Sequence, residues 1–282
     1  MPELGTALWG LPRRYFLGVF CLLTTRSGAQ KTMTKRWLAA LPVYNELGYV
    51  NPVLDEVLKY APDVLAVNDG SNDGTGELLD QRSDISVIHH DKNRGYGAAL
   101  RTAFQYAIDE GYEIIVTLDC DGQHQPKRIP RFVSACENMD IVSGSRYLKK
   151  YDGDSVPPAQ RLLINKQITK TINGLFHWNL TDTFCGFKAY RTEAIAKLNI
   201  TVDGYAMPLE LWTQAAMLGM RILEVPVPLI YLDEKRSFGG ALDDGSVRLT
   251  YYNKVIDQSI KAMIDRGYEL PIASSPICVE CP

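Results

Sequence analysis

The sequence predicts an α/β domain with a mostly parallel central sheet and helices on both faces. Short apolar runs alternate with helical-period segments from residue 37 onward, which is the pattern of successive βα units. Several of these runs end in polar loops bearing Asp, Asn and Gly. In such sheets these loops gather along one edge and form the ligand crevice. The 282 residues are 46% hydrophobic, which supports a sizeable core and argues against disorder.

Taken in order, 37–43 is the first strand, ending at Tyr44-Asn45-Glu46. Leu47, Val50, Leu54, Val57 and Leu58 then recur at helical spacing over 46–60. Residues 64–67 form strand two, followed by Asn68-Asp69-Gly70-Ser71-Asn72-Asp73-Gly74-Thr75 with its two Asp-Gly turns. Thr75 can cap a helix running to Gln81. Strand three is 85–88, and a helix over 96–110 presents Ala99, Ala103, Tyr106 and Ala107 on one face. Strand four, 114–118, runs into Asp119-Cys120-Asp121-Gly122. The loops after strands one, two and four are therefore expected to be neighbours. Beyond them the pattern predicts a helix at 127–136, a short strand at 141–142, a mobile Gly/Asp/Pro loop at 151–158, and a helix at 158–176. A strand at 187–190, a helix at 208–218, an extended segment at 221–231 that its prolines push toward a sheet edge, and a final helix at 246–266 complete the reading.

A net charge of -3 gives no general reason to expect nucleic acid as a partner. The cysteines Cys21, Cys120, Cys136, Cys185, Cys278 and Cys281 are scattered, which points to a reducing cytosol rather than a disulfide framework. Cys278 and Cys281 make a lone C-x-x-C, read as part of an unstructured tail. Arg13-Arg14, an apolar run at 15–23 and Ser27-Gly28-Ala29 have the form of a secretory leader, too short to span a bilayer. Met33 followed by Thr34-Lys35-Arg36 and then a strand is an alternative start. The expected organisation is a leader or mis-assigned extension at 1–32, one domain at 33–268 and a tail at 269–282.

A buried strand has little reason to finish on two carboxylates unless a cation sits there. Asp119 and Asp121, with Gln123, offer hard oxygen ligands suited to Mg²⁺ or Mn²⁺. A bare D-x-D is equally readable as a solvated turn, Asp69 as an Asx turn, and Glu46 as a helix-start carboxylate. The weight comes from order. L-P-V-Y-N-E (41–46), V-N-D-G-S-N-D-G-T (67–75), N-R-G-Y-G-A-A (93–99) and L-D-C-D-G-Q-H-Q-P (118–126) are followed by V-S-G-S-R-Y (142–147), D-T-F-C-G-F-K-A-Y (182–190) and E-V-P-V (224–227). This series resembles the family 2 glycosyltransferases of the GT-A fold, and within them the dolichol-phosphate and polyprenyl-phosphate mannosyl- and glucosyltransferases.

The resemblance implies an inverting transfer of a hexose from GDP-mannose or UDP-glucose to polyprenyl phosphate. Asp119, Asp121, Arg146 and Arg161 would form the catalytic set. Asp119, Asp121 and Gln123 would hold the Mg²⁺ or Mn²⁺ at the diphosphate. Pro42, Tyr44, Glu46, Asp69, Arg94, Gly95 and Asp119 would contact the donor nucleotide. Arg146 and Arg161 would bind the acceptor phosphate, a task suited to bidentate guanidinium. Arg236-Ser237-Phe238-Gly239 matches an R-x-x-G-x-S-K type stretch only in part and lacks its lysine, so Arg236 or Lys235 would serve there. The lipid acceptor implies work at the cytoplasmic membrane surface, with the final helix and loops 148–157 and 233–245 as docking candidates. A homo-oligomer or a membrane partner is compatible with this. Glu210, in M-P-L-E-L-W, would be a base only for a hydroxyl acceptor; otherwise it is a first-turn helix carboxylate. Alternatives are therefore a family 2 enzyme acting on a sugar hydroxyl and a non-catalytic nucleotide-sugar binding protein. A nucleotidyltransferase would want a Gly-rich basic loop after strand one, which L-P-V-Y-N-E does not supply.

Overall fold

Strand β1 (Trp37–Val43) is the axis of the sheet. Its side chains alternate between two cores: Leu38 and Ala40 enter one, while Ala39, Leu41 and Val43 enter the other. A strand buried on both faces reads as a continuous apolar run, and this one does. The computed structural model describes residues 36–232 and 239–272 and the backbone of 278–279. The leader at 1–32, Lys235, Arg236 and Cys281 lie outside the described residues.

The remaining strands are β2 (Val64–Asn68), β3 (Ser86–His89), β4 (Ile114–Thr117), β5 (Ile141–Ser145), β6 (Lys188–Arg191), β7 (Ile222–Pro226) and β8 (Cys278–Val279). Among the described residues they form one sheet in the order β3-β2-β1-β4-β6-β5-β7-β8. Every pairing is parallel except those of β6, which runs antiparallel to β4 and β5. The reversal matters for the site. Thr117, at the end of β4, stands opposite Lys188, at the start of β6. The turn that precedes β6 is thereby brought to the edge where β4 delivers Asp119 and Asp121.

The helices are α1 (Val50–Val57), α2 (Thr75–Asp80), α3 (Tyr96–Asp109), α4 (Ile129–Ala135), α5 (Ala159–Phe176), α6 (Thr192–Ile195), α7 (Met207–Met217) and α8 (Gly245–Asp265). Helices α3, α5, α7 and α8 fill one face of the sheet, around the buried Trp212 and Phe176. Helices α1, α2 and α4 cover the other, where the Phe132 and Phe187 rings stack 4.1 Å apart. Each such buried side chain contributes about 1.5–3 kcal/mol of transfer free energy.

Four local readings change. Helix α1 begins at Val50 rather than at 46, because 44–49 turn back toward the loop after β2. There Asn45 N donates to Ser71 Oγ (3.0 Å), Asn72 N to Asn45 Oδ1 (2.9 Å) and Leu47 N to Asp73 Oδ2 (3.1 Å). Asp73, not Thr75, supplies the acceptor at the start of α2, taking Thr75 N at 3.0 Å. The loop at 151–158 is tied to the end of β7 and the segment after it: Asp154 accepts from Leu229 N at 2.9 Å, Ser155 N donates to Leu229 O at 2.8 Å and Tyr151 OH to Pro226 O at 3.1 Å. Strand β7 is internal, since β8 pairs along its outer side, and this gives structure to a segment read from sequence as unstructured tail.

Candidate active site

The C-terminal edge of the sheet opens into a cleft of about 790 Å³. It is lined by Pro42, Tyr44, Glu46, Asp69, Gly95, Asp119, Asp121, Gln123, Arg146 and Arg161, ten positions expected from sequence. A pocket of about 260 Å³ adjoins it and shares Asn45, Glu46, Asp121 and Gln123. Arg94 does not line the cleft; its contribution is its backbone amide. Arg236 lies outside the described residues.

The acidic floor comes from the loop after β4. Asp119 accepts from Tyr96 OH at 3.1 Å and pairs with His124 Nε2 at 3.2 Å. Burial opposes the charge of Asp119, but His124, Tyr96 and nearby Lys188 outweigh it and hold the carboxyl below the usual carboxylate range. Asp121 is pushed the other way, by burial and by the charge of Asp119. Gln123 turns back on it, donating from N (3.0 Å) and Nε2 (2.9 Å). Gly186 faces this floor so closely that a Cβ there would stand 2.3 Å from Asp119 Oδ2. Lys188 is buried behind it, its ammonium on Cys185 O and 5.5 Å from the Trp212 ring, with its pKa lowered by burial.

Asp69 is buried, and its carboxylate organises the loop that opens α3. It accepts from Arg94 N (2.9 Å), Gly95 N (2.7 Å) and His90 Nδ1 (2.6 Å). Gly95 has φ 104°, a left-handed conformation that suits glycine. Glu210 has a matching duty on α7. It accepts from Thr201 N, Thr201 Oγ1 and Val202 N, each at 2.8 Å, and so fixes the 201–205 loop. That loop takes Ala98 N on Asp203 O at 3.1 Å and lays Tyr205 on Tyr96, ring centres 5.8 Å apart. Glu210 is not among the residues that line the cleft.

The cleft also has a basic lining. Arg146 forms a fork with the fully buried Asp182, Nε to Oδ2 at 2.7 Å and Nη2 to Oδ1 at 2.9 Å. Burial opposes the Asp182 charge, but Arg146 and the Asn165 amide hold it below the usual range. Arg161, in the first turn of α5, lines the cleft with its guanidinium 5.9 Å from the Tyr231 ring. Arg248 of α8 also lines it; the residue is buried and donates to Leu242 O at 2.7 Å and Gln160 Oε1 at 3.2 Å. Asp182, Lys188, Tyr205 and Arg248 were not singled out from sequence. A lysine inside F-K-A-Y, an otherwise apolar strand, was the available signal for Lys188; nothing in the pattern marks Arg248.

Among the described residues no group of three or more His, Cys, Asp and Glu is arranged to hold a metal. The donor chemistry nevertheless fits Mg²⁺ or Mn²⁺, which take one or two carboxylates and complete their shell from phosphate and water. Carboxylates and guanidinium groups thus line one cleft.

The comparisons with known proteins agree. The sequence model described as glycosyl transferase family 2 matches residues 39–198. An undecaprenyl-phosphate mannosyltransferase of Micrococcus luteus is 31% identical over 228 residues, 76% of this chain and 93% of that protein. A polyprenol monophosphomannose synthase of Mycolicibacterium smegmatis is 31% identical over 247 residues, covering 83% and 91%. A dolichyl-phosphate hexose transferase of Haloferax volcanii is 30% identical, covering 66% and 78%. The structure of glucosyl-3-phosphoglycerate synthase from Mycobacterium tuberculosis superposes with a TM-score of 0.59 over 81% of each chain at 17% identity, a likeness of fold. The protein is thus a glycosyltransferase with the GT-A fold. It belongs to glycosyl transferase family 2.

Proposed function

We propose that this enzyme transfers a hexose from GDP-mannose or UDP-glucose to a polyprenyl or dolichyl phosphate, with inversion at the sugar. The observation that carries the reading is one cleft lined both by the carboxylates Asp119 and Asp121 and by the guanidinium groups of Arg146 and Arg161. The names of the relatives from Micrococcus, Mycolicibacterium and Haloferax support a polyprenyl-type acceptor. In the proposed step a phosphate oxygen of the acceptor attacks C1 of the sugar. The bond from C1 to the donor's diphosphate breaks, and the nucleoside diphosphate leaves with that electron pair. A phosphate is already an anion, so no side chain has to remove a proton. Arg146 and Arg161 orient the acceptor phosphate, while Pro42, Tyr44, Glu46 and Asp69 with the 94–95 loop shape the nucleotide end. Asp119, Asp121 and Gln123 would hold Mg²⁺ or Mn²⁺, which would neutralise the diphosphate leaving group. The engagement of Glu210 by the 201–202 amides and the Thr201 hydroxyl favours this over a hydroxyl acceptor with Glu210 as base.

The acceptor brings a membrane with it. No helix among the described residues is long and apolar enough to cross one. Exposed Val156, Leu163 and Val247 lie on the 151–158 loop, α5 and α8, the elements around Arg161 and Arg248. We infer peripheral docking of this rim on the cytoplasmic membrane face. The free, buried Cys120, Cys136 and Cys185 agree with a reducing compartment.

The test is a radiolabelled donor screen against polyprenyl phosphate, with and without EDTA. Chloroform-extractable label that disappears with EDTA is the expected result. Label confined to a water-soluble product would point to a hydroxyl acceptor, and donor binding without turnover to a binding protein.

A further inference from the structure

Behind Arg146 a second buried carboxylate is stacked on the first. Asp182 holds the Arg146 fork, and its own backbone is held in turn by Glu224 of β7. Glu224 is fully buried and accepts from Asp182 N (3.1 Å), Thr181 N (2.9 Å) and Thr181 Oγ1 (2.9 Å). Thr181 Oγ1 also meets Ser145 Oγ at 2.5 Å, at the end of β5 next to Arg146. Arg146 N donates back to Asp182 Oδ2 at 3.2 Å. Strand β7, the 181–182 turn and the end of β5 are therefore tied through one side chain that does not line the cleft.

A buried carboxylate is costly unless its acceptors are matched. The donors that face Glu224 are neutral amides and a hydroxyl, whereas Asp182 has the Arg146 cation. A glutamine would keep the volume but turn an NH₂ toward one of these donors. An apolar residue would leave two buried N–H groups without acceptors. The choice of glutamate is explained by what the turn carries, namely the carboxylate that aims Arg146.

We propose that Glu224 is a positioning residue for the acceptor phosphate, acting through the Thr181–Asp182 turn on the direction of the Arg146 guanidinium. The functional half of this statement rests on the acceptor proposed above; the geometric half does not.

The experiment uses the full chain labelled with ¹⁵N-arginine, as wild type, Glu224→Gln and Thr181→Val. Arg146→Lys identifies the Arg146 Nε–Hε signal by its loss. In the wild type this proton sits in a 2.7 Å bond to Asp182, and slow exchange with water is expected. The expected result is at least tenfold faster exchange at Arg146 in Glu224→Gln, with the other arginine signals unmoved. In parallel, KM for undecaprenyl phosphate should rise roughly tenfold while KM for the sugar nucleotide stays within twofold. Thr181→Val, which removes one donor and keeps the backbone bonds, should move both readouts less and in the same direction, and it decides the matter should Glu224→Gln not fold. An unchanged Arg146 signal, or an equal rise in both KM values, overturns the proposal. A wild type that transfers nothing to undecaprenyl phosphate overturns the acceptor reading, while the Arg146 signal still decides the positioning role.

Discussion

Gly186→Ala is the sharpest single test of the acidic floor. A Cβ at this position would lie 2.3 Å from Asp119 Oδ2 and 2.6 Å from Oδ1, and ordinary contact begins only at 3.4 Å. The methyl group therefore cannot be accommodated unless the Asp119 carboxylate moves by about 1 Å, given that interiors are close-packed. Phe187, next in the chain, is fully buried against Phe132, and Thr117 Oγ1 donates to Gly186 O at 3.0 Å, so the backbone has little freedom to retreat. Overpacking of this kind costs about 1–3 kcal/mol of stability. A misplacement near 1 Å in a catalytic constellation costs about 10²-fold in rate. The assay is hexose transfer under saturating donor, with thermal unfolding alongside. The expected outcome is a folded enzyme whose kcat has fallen by about 10². A Gly186→Ala protein that keeps more than half of its activity would show that the position of Asp119 does not matter, and the metal-diphosphate reading would fall with it.

Replacing Asp119 and Asp121 together by Asn should lower transfer by about 10²–10³, and EDTA should have little further effect on that variant; retained activity would remove both carboxylates from the mechanism. Glu210→Gln should destabilise the fold by about 1–3 kcal/mol, seen as a lower urea midpoint, while leaving the pH profile of kcat unchanged; a lost acidic limb would instead mark Glu210 as a base. Burial pushes the Glu224 carboxyl from an ordinary 4.5 up to about 7. Between those values the folded state retains a proton that the unfolded chain has released. The stability present below pH 4.5 is therefore lost as pH rises toward about 7, by ~3 kcal/mol at most. Urea unfolding across that window should show this slope in the wild type and not in Glu224→Gln; parallel curves would refute it.

The part of the cleft that follows β1, β2 and β4 was legible in the sequence because its groups sit at the ends of strands. Strand ends are marked by a change from apolar to polar residues, and parallel topology brings those of β1, β2 and β4 together. The roles were less legible. D-G-S at 69–71 shows that an aspartate is present but not that its carboxylate is turned onto the 94–95 amides. The part around Arg146 depends on long-range pairing. Asp182 meets Arg146 only because β6 runs backward beside β5, and that reversal leaves no mark on hydrophobic periodicity. Arg248 was hidden for a similar reason: on α8 it looks like any polar helix position, and only the packing of α8 against α5 and Gln160 turns it inward.

The placement of the acids argues for an acceptor that is already ionised. Asp69 holds the amides of 94 and 95, Glu210 those of 201 and 202, Glu224 those of 181 and 182, and Asp182 the guanidinium of Arg146. Each turns its oxygens onto fixed donors that order a loop or hold a cation. A general base needs an oxygen open to the nucleophile within hydrogen-bond reach. Glu210, Glu224 and Asp182 do not line the cleft, and Asp69 has its oxygens on the 94–95 amides and His90. Beside Arg146 and Arg161 a hydroxyl acceptor would meet guanidinium groups, which supply donors and no acceptor. A phosphate meets them as it is.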